Sequence, residues 1–317
     1  MPQATPAEAK PSLATSKTAT IHPESLPTAS ATIGVTRFND IIGNNLAKQA
    51  LFESCVLPMT LCPSQLHALM VGIRGGVGNV ILYGAPGTGK TLLAQAVANE
   101  SGAVLMSLRP SDILSKYQGD SERYLRDTFE AARKAKRAII FFDEFDSIAI
   151  ARSGSSSEEG NSRRLLSELL IQLTHNKQIN TTAAVDSEGT NQVVVIAATN
   201  RIEDLDEAIL RRFENKIYVG LPSCAERIDM VMQFMKEIAL QLSVNQLNEV
   251  ARMTEHWSGS EIESLCREAA MIPLRAILPY SATVPRDLDL NIRAVTFEDF
   301  GIKIILAVET LFNNLYI

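Results

Sequence analysis

Three short stretches of this chain carry residue types and spacings that could handle a phosphorylated nucleotide. Gly84-Ala85-Pro86-Gly87-Thr88-Gly89-Lys90-Thr91 fits G-x-x-x-x-G-K-[ST]. Its glycines let consecutive backbone N–H groups curl around phosphate oxygens, and a following helix adds its positive N-terminal dipole. In that setting Lys90 neutralises the β and γ phosphates and Thr91 ligates magnesium. Ile139-Ile140-Phe141-Phe142 is a buried-strand run that ends in Asp143-Glu144. Ligands of parallel sheets bind beyond the carboxyl ends of strands, so Asp143 can reach a magnesium shell and Glu144 can polarise an attacking water. A third apolar run, Val193 to Ala198, ends in Thr199-Asn200 and sets an amide at the same edge. A phosphate loop, an acid pair and an amide on three strand ends describe one nucleoside triphosphatase site.

The elements that must hold these groups follow from apolar periodicity. Strands are expected at Val80 to Tyr83, Ala103 to Leu108, Ala138 to Phe142, Val193 to Ala198 and Lys216 to Val219. Helices are expected at Asn45 to Leu57, Lys90 to Ser101, Ser121 to Ala135, Ser162 to Leu173 and Cys224 to Leu240, the last burying Ile228, Val231, Met235 and Ile238. The alternation predicts an α/β fold, a doubly wound parallel sheet with a phosphate loop. Beyond Leu240 short helices replace strands, including Ser260 to Met271 with Ser260 and Glu263 as a capping box and Pro273 as the stop. That is a small C-terminal helical lid. Residues 176 to 192 are polar and unperiodic and read as a surface loop.

The expected division is a leader at 1–35, a large α/β domain at 36–222, a helical lid at 223–300 whose first helix (224–240) bridges the two, and a tail at 301–317. The leader contains 22 Ala, Thr, Pro and Ser in 35 residues, without an aromatic, and reads as disordered. Its lack of Arg argues against a transit peptide. Across 317 residues, 30 Lys and Arg against 36 Asp and Glu leave a net charge of −6. That balance argues against nucleic acid as a partner. No apolar run approaches the roughly 20 residues of a membrane span, so no integral membrane segment is expected. Cys55, Cys62, Cys224 and Cys266 form no C-x-x-C pair, which suggests free thiols in a reducing compartment. His22, His67, His175 and His256 show no metal-ligand spacing.

With the loop, the acid pair and Asn200 in place, residues 37 to 300 resemble the AAA ATPases. Thr199-Asn200-Arg201 through Leu210-Arg211-Arg212-Phe213-Glu214 is similar to that family's second region of homology. The resemblance implies that Asn200 is the first sensor, orienting the water, and that Arg211 and Arg212 are arginine fingers reaching a neighbouring subunit's ATP. Within the family the chain resembles the katanin-like meiotic group, which also holds spastin, fidgetin and the vacuolar sorting ATPase that takes apart ESCRT filaments. Asp40-Ile41-Ile42-Gly43 resembles the segment lining the adenine pocket, and Ser258-Gly259-Ser260-Glu261 with Cys266-Arg267-Glu268-Ala269-Ala270-Met271 resembles the lid. Nucleotide contacts are thereby implied for Ile42, Gly43, the loop Gly84 to Thr91 with Leu92, and Gly259 and Ser260.

Lys116-Tyr117-Gln118-Gly119 resembles the first pore loop and Ser162-Arg163-Arg164 the second, so Lys116, Tyr117, Arg163 and Arg164 are the implied grip on a threaded peptide. Tyr117 beside Lys116 offers a flat apolar surface and a cation. His256-Trp257 stands where the family has a Gly-aromatic pair beside the adenine.

The implied activity is magnesium-dependent ATP hydrolysis in a homo-hexameric ring that remodels or severs a protein polymer. Tubulin is the favoured client and ESCRT filament subunits the second. A cytoplasmic, cytoskeleton-associated location goes with it. The alternative from another class is an adaptor that binds nucleotide without turnover, which would need neither Glu144, Asn200 nor the arginines.

Overall fold

The structure is a computed structural model that describes residues 36–61, 65, 78–113, 120–149, 156–183, 191–277 and 292–301. The expected leader, the first pore loop with Lys116 and Tyr117, the side chain of Arg163 and nearly all of the tail lie outside the described residues.

Among the described residues one sheet contains five parallel strands: β1 (Val80–Tyr83), β2 (Val104–Leu108), β3 (Arg137–Phe142), β4 (Gln192–Thr199) and β5 (Asn215–Tyr218), in the order β2-β3-β4-β1-β5. The central strands are buried on both faces, which is why they read as unbroken apolar runs rather than alternating ones. Their side chains divide by pleat into two cores. Ile140, Phe142, Val193 and Val195 face one way and pack with Leu125, Phe129 and Leu169. Ile139, Phe141, Val194 and Ile196 face the other way and pack with Leu51, Leu93 and Val97. Helices therefore cover both faces, as the doubly wound reading predicts.

The main helices are α1 (Asn45–Leu51), α2 (Lys90–Ser101), α3 (Asp120–Lys134), α4 (Ser156–Ala183), α5 (Cys224–Phe234), α6 (Val244–Met253) and α7 (Gly259–Ile277). The last three build a separate core from Val231, Met235, Val250, Ile262, Leu265 and Ala269, closed by Val295 and Phe300.

Several helix boundaries depart from the periodicity. The expected helix Asn45 to Leu57 is α1 followed by a π-helical turn at Phe52–Val56 and a further α turn at Leu57–Thr60. Helix α4 runs to Ala183, so residues 176–183 are helical rather than loop. A tertiary contact explains the extension: Asn176 is fully buried and its Nδ2 donates to the Val193 carbonyl at 3.0 Å. Helix α5 stops at Phe234 instead of 240, because the chain turns to pair Leu240 with Val295, with Val295 N–H donating to Ala239 O at 2.8 Å. Val231 and Met235 are buried as expected, whereas Ile228 is half-buried and Ile238 is 39% exposed.

Pro273 does not stop the last helix, which continues to Ile277. The proline costs one backbone bond, and the apolar stripe Ile262, Leu265, Cys266, Ala269 and Pro273 holds the helix together through it. The cap also differs. Ser258, not Ser260, precedes the helix, and the Glu261 carboxylate accepts from Ser258 N–H at 2.7 Å and from its hydroxyl at 2.6 Å.

Two measurements check this packing. Phe129 is fully buried against the sheet, so Phe129→Ala should lower unfolding stability by about 3–5 kcal/mol in denaturant titration. In the lid, Asp299 is 2% exposed and accepts from both Arg293 terminal nitrogens at 2.7 Å and from Thr296 N–H at 2.8 Å. The Arg293 guanidinium holds the Asp299 carboxyl below its usual value. Stability from this group is therefore present above the ordinary carboxylate pKa of about 3.9 and lost as pH falls through the lower folded value. Asp299→Asn should destabilise the lid at neutral pH and flatten its acid unfolding below about pH 4.

Candidate functional site

Strand register brings the chemistry together. Phe142 pairs with Ala197 and Tyr83 with Thr199, so β3, β1 and β4 end side by side. Immediately past those ends come Asp143-Glu144, the Gly84 loop and Asn200. A cleft of about 600 Å³ opens there. Asp143, Glu144 and Asn200 all line it, together with Pro86, Gly87, Thr88, Gly89, Lys90, Thr91 and Leu92 from the loop and α2.

The loop conformation needs its glycines. Gly87 has φ +75°, and a Cβ there would sit 2.0 Å from Ser260 Oγ. Gly84 has φ +152° and would meet the Val219 carbonyl oxygen at 2.1 Å. Lys90 folds back over the loop and donates to the carbonyls of Gly84 at 2.9 Å and Ala85 at 2.8 Å. Burial pulls the Lys90 pKa down, and the negative charges of Asp143 and Asp146 oppose that shift.

Thr91 Oγ1 donates to Asp143 Oδ2 at 3.2 Å, so a hydroxyl and a carboxylate stand within reach of one cation. Among the described residues no group of three or more His, Cys, Asp or Glu could hold a metal unaided. That sparse oxygen set suits magnesium, which binds through one or two protein oxygens and completes its shell with phosphate oxygens and water. Glu144, two residues past the strand end, adopts φ +48°. It leaves the sheet sharply, and its carbonyl accepts from Ser147 N–H at 2.9 Å.

The lid forms the other wall. Gly259 and Ser260 line the cleft, and Ser260 N–H donates to the Gly87 carbonyl at 3.2 Å. In the segment expected to line an adenine pocket, Ile42 lines the cleft, whereas Gly43, with φ +74°, packs beneath Glu226 and does not. Gly84 and Ala85 likewise stay out of the lining and serve through their carbonyls. Asp40 and Ile41 of the expected segment line the cleft as well, whereas sequence reasoning missed Thr36, Met230, Gln233, Phe234 and Glu263, which also line it. Gln233 Nε2 donates to the Asp40 carbonyl at 2.8 Å, tying α5 to a segment 193 positions earlier. No local pattern encodes such a contact, although Met230 and Phe234 share one helix face.

His256 and Trp257 do not line the cleft. Trp257 packs into the lid core, and His256 is exposed with φ +66°, a backbone conformation that glycine adopts more readily.

Arg211 and Arg212 are also outside this cleft. Arg211 is exposed and pairs with Glu207 at 2.6 Å, and Arg212 Nε donates to Thr174 Oγ1 at 2.9 Å. Arg164 is exposed on α4.

The model of the ATPase family associated with various cellular activities (AAA) matches residues 80–221, and the AAA+ lid domain model matches residues 243–290. This chain belongs to the AAA ATPases. Spastin of Danio rerio is 40% identical over 245 residues, which is 77% of this chain and 40% of that protein. Spastin of Homo sapiens is 39% identical over 243 residues, again 77% of this chain but 37% of the relative. The chain spans about two fifths of the length of the curated relatives it matches. Among solved structures, the AAA domain of FIGL-1 in complex with ADP superposes with a TM-score of 0.68 at 32% identity, covering 86% of this chain and 84% of that one. A katanin structure concerned with self-assembly gives 0.67 at 31% identity, with the same coverages of 86% and 84%. The katanin-like branch of the AAA family, to which the motifs point, is where these relatives lie.

The contact between Gly87 and the AAA lid generates a prediction. Gly87→Ala should weaken nucleotide affinity by at least about tenfold, measured by fluorescent-nucleotide titration. Adding Ser260→Gly removes the nearest clash and should recover part of the loss, leaving the cost of the positive φ.

Proposed function

We propose that this AAA protein hydrolyses ATP with magnesium in a homo-hexameric ring and uses the cycle to pull on a protein polymer, with microtubules as the client. The observation that carries the reading is the convergence of Lys90, Thr91, Asp143, Glu144 and Asn200 on one cleft bounded by both the sheet edge and the lid. A nucleotide spanning such a cleft couples its own chemistry to the angle between two domains. The likeness to spastin, FIGL-1 and katanin favours severing and a cytoplasmic, cytoskeleton-associated setting. No described helix is long and apolar enough to cross a membrane.

In this reading the loop amides and Lys90 hold the β and γ phosphates. Thr91 and Asp143 hold magnesium, which when bound neutralises phosphate charge. Glu144 accepts a hydrogen bond from the attacking water and takes its proton as the oxygen closes on the γ-phosphorus. The bond from that phosphorus to the β–γ bridging oxygen breaks, and ADP keeps the electron pair. The Asn200 amide fixes the water's direction. Arg211 and Arg212, standing away from their own cleft, contribute positive charge to the neighbouring subunit's γ-phosphate. Ile42 and the lid residues Gly259 and Ser260 enclose the base and sugar. The pore residues Lys116, Tyr117, Arg163 and Arg164 grip the threaded segment.

The deciding experiment is Glu144→Gln, which keeps shape and hydrogen bonding but removes the basic carboxylate. Turnover should fall by about 10² or more while ATP binding persists, and the mutant should sediment as an ATP-dependent hexamer that retains its client. Tubulin in the trap supports severing, ESCRT filament subunits support the second client, and an ATP-bound monomer that traps nothing overturns the ring motor. Separately, Arg211→Ala and Arg212→Ala should each depress turnover with nucleotide affinity nearly intact. Wild-type turnover per subunit should rise with protein concentration, and a rate independent of dilution into the monomer range rejects catalysis in trans.

A further inference from the structure

The water-handling pair Glu144 and Asn200 leaves the sheet from two different strands, so their separation depends on something other than strand pairing. Thr199 pairs with Tyr83, β4 ends there, and Asn200 is the first residue beyond it. Across the gap, Glu144 lies just before the short helix Phe145–Ala149, whose second residue is Asp146. Asp146 Oδ1 accepts the Thr199 hydroxyl at 3.0 Å and the Asn200 backbone N–H at 3.4 Å. Thr199 Oγ1 in turn accepts from Arg201 N–H at 3.0 Å, and Thr199 is fully buried. Two hydrogen bonds thus join the end of β4 to one half-buried carboxylate on the turn that carries Glu144, and a third extends the connection through Thr199 to Arg201.

We infer that Asp146 is a positioning residue that locks Asn200 in register with Glu144, so that the two address the same water. Asp146 does not itself line the cleft and acts only through its neighbours. Its negative charge also opposes the effect of burial on Lys90. The Thr199 side chain, which no phosphate or metal role uses, gains a purpose as the relay between Asp146 and the Arg201 amide. Catalytic geometry is sensitive to such bracing, since a displacement of about 1 Å can cost about 10²-fold in rate.

This inference deepens the proposed function and rests on Glu144 and Asn200 acting on water. The test measures ATP turnover and nucleotide affinity for Asp146→Ala, Thr199→Val, Thr199→Ser and Asn200→Ala, with thermal melting as the check on folding. Expected for Asp146→Ala is a kcat lower by about 10²-fold with KM and affinity unchanged. Thr199→Val, nearly isosteric, should move the same way by a smaller factor, and Thr199→Ser should retain wild-type turnover because it keeps the hydroxyl. Combining Asp146→Ala with Asn200→Ala should cost no more than Asn200→Ala alone.

Where Asp146→Ala does not fold, Thr199→Val and Thr199→Ser carry the test, and equal kcat in the two overturns the inference. So does wild-type kcat in Asp146→Ala alongside an inactive Glu144→Gln, or a loss confined to nucleotide affinity. Full turnover in Glu144→Gln overturns both this inference and the reading beneath it, which separates the two failures.

Discussion

The parallel register of β1, β4 and β3 is the constraint on which everything else here depends. Parallel pairing points every strand the same way, so their carboxyl ends share one edge, and the pairing of Tyr83 with Thr199 and Phe142 with Ala197 aligns them closely. A phosphate loop, an acid pair and an amide, far apart in sequence, become neighbours without any long-range motif. The cost of that arrangement is a sheet buried on both faces, which demands two apolar layers. Helices α2 and α1 on one side and α3 and α4 on the other supply them. Catalytic placement and core packing are consequences of the same pleat.

A site on a sheet edge is still open to solvent on its far side, and the lid supplies the missing wall. Its attachment is polar and specific. Ser260 meets Gly87 through a backbone bond, Gln233 reaches the Asp40 carbonyl, and Gly43 leaves room for Glu226 that a Cβ would take. Arg227, 6% exposed, donates to the carbonyls of Pro222 and Ala251 and so joins the connector between the domains to the lid's own helices. Interfaces made of a few directional bonds over a cleft reorganise more readily than a dry apolar contact.

In the proposed ring the arginines serve a neighbouring subunit rather than their own cleft. Arg211 and Arg212 are spent on Glu207 and Thr174, outside the cleft they resemble partners of. Electrostatic help for a reacting phosphate is strongest when it is preorganised and close. A ring places a neighbour's arginines where a chain's own cannot reach, which ties the proposed turnover to assembly.

The sequence by itself determined the phosphate loop, the Asp143-Glu144 step, Asn200, the five strands and the family, because each is written in contiguous residues: glycine spacing, apolar runs, and polar residues at strand ends. Strand boundaries shifted by a single residue at most. Helix limits were less legible, since burial of Asn176 against Val193, pairing of Leu240 with Val295 and packing around Pro273 are contacts between distant segments that override local propensity. Only the tertiary structure decided that Ser258 caps the lid helix and frees Ser260 for Gly87, that Met230, Gln233 and Phe234 line the cleft, and that one Asp146 oxygen accepts from both the Thr199 hydroxyl and the Asn200 backbone N–H. A pattern of residue types records what a segment prefers alone, whereas hydrogen bonds and cleft walls join segments whose mutual placement the whole fold sets.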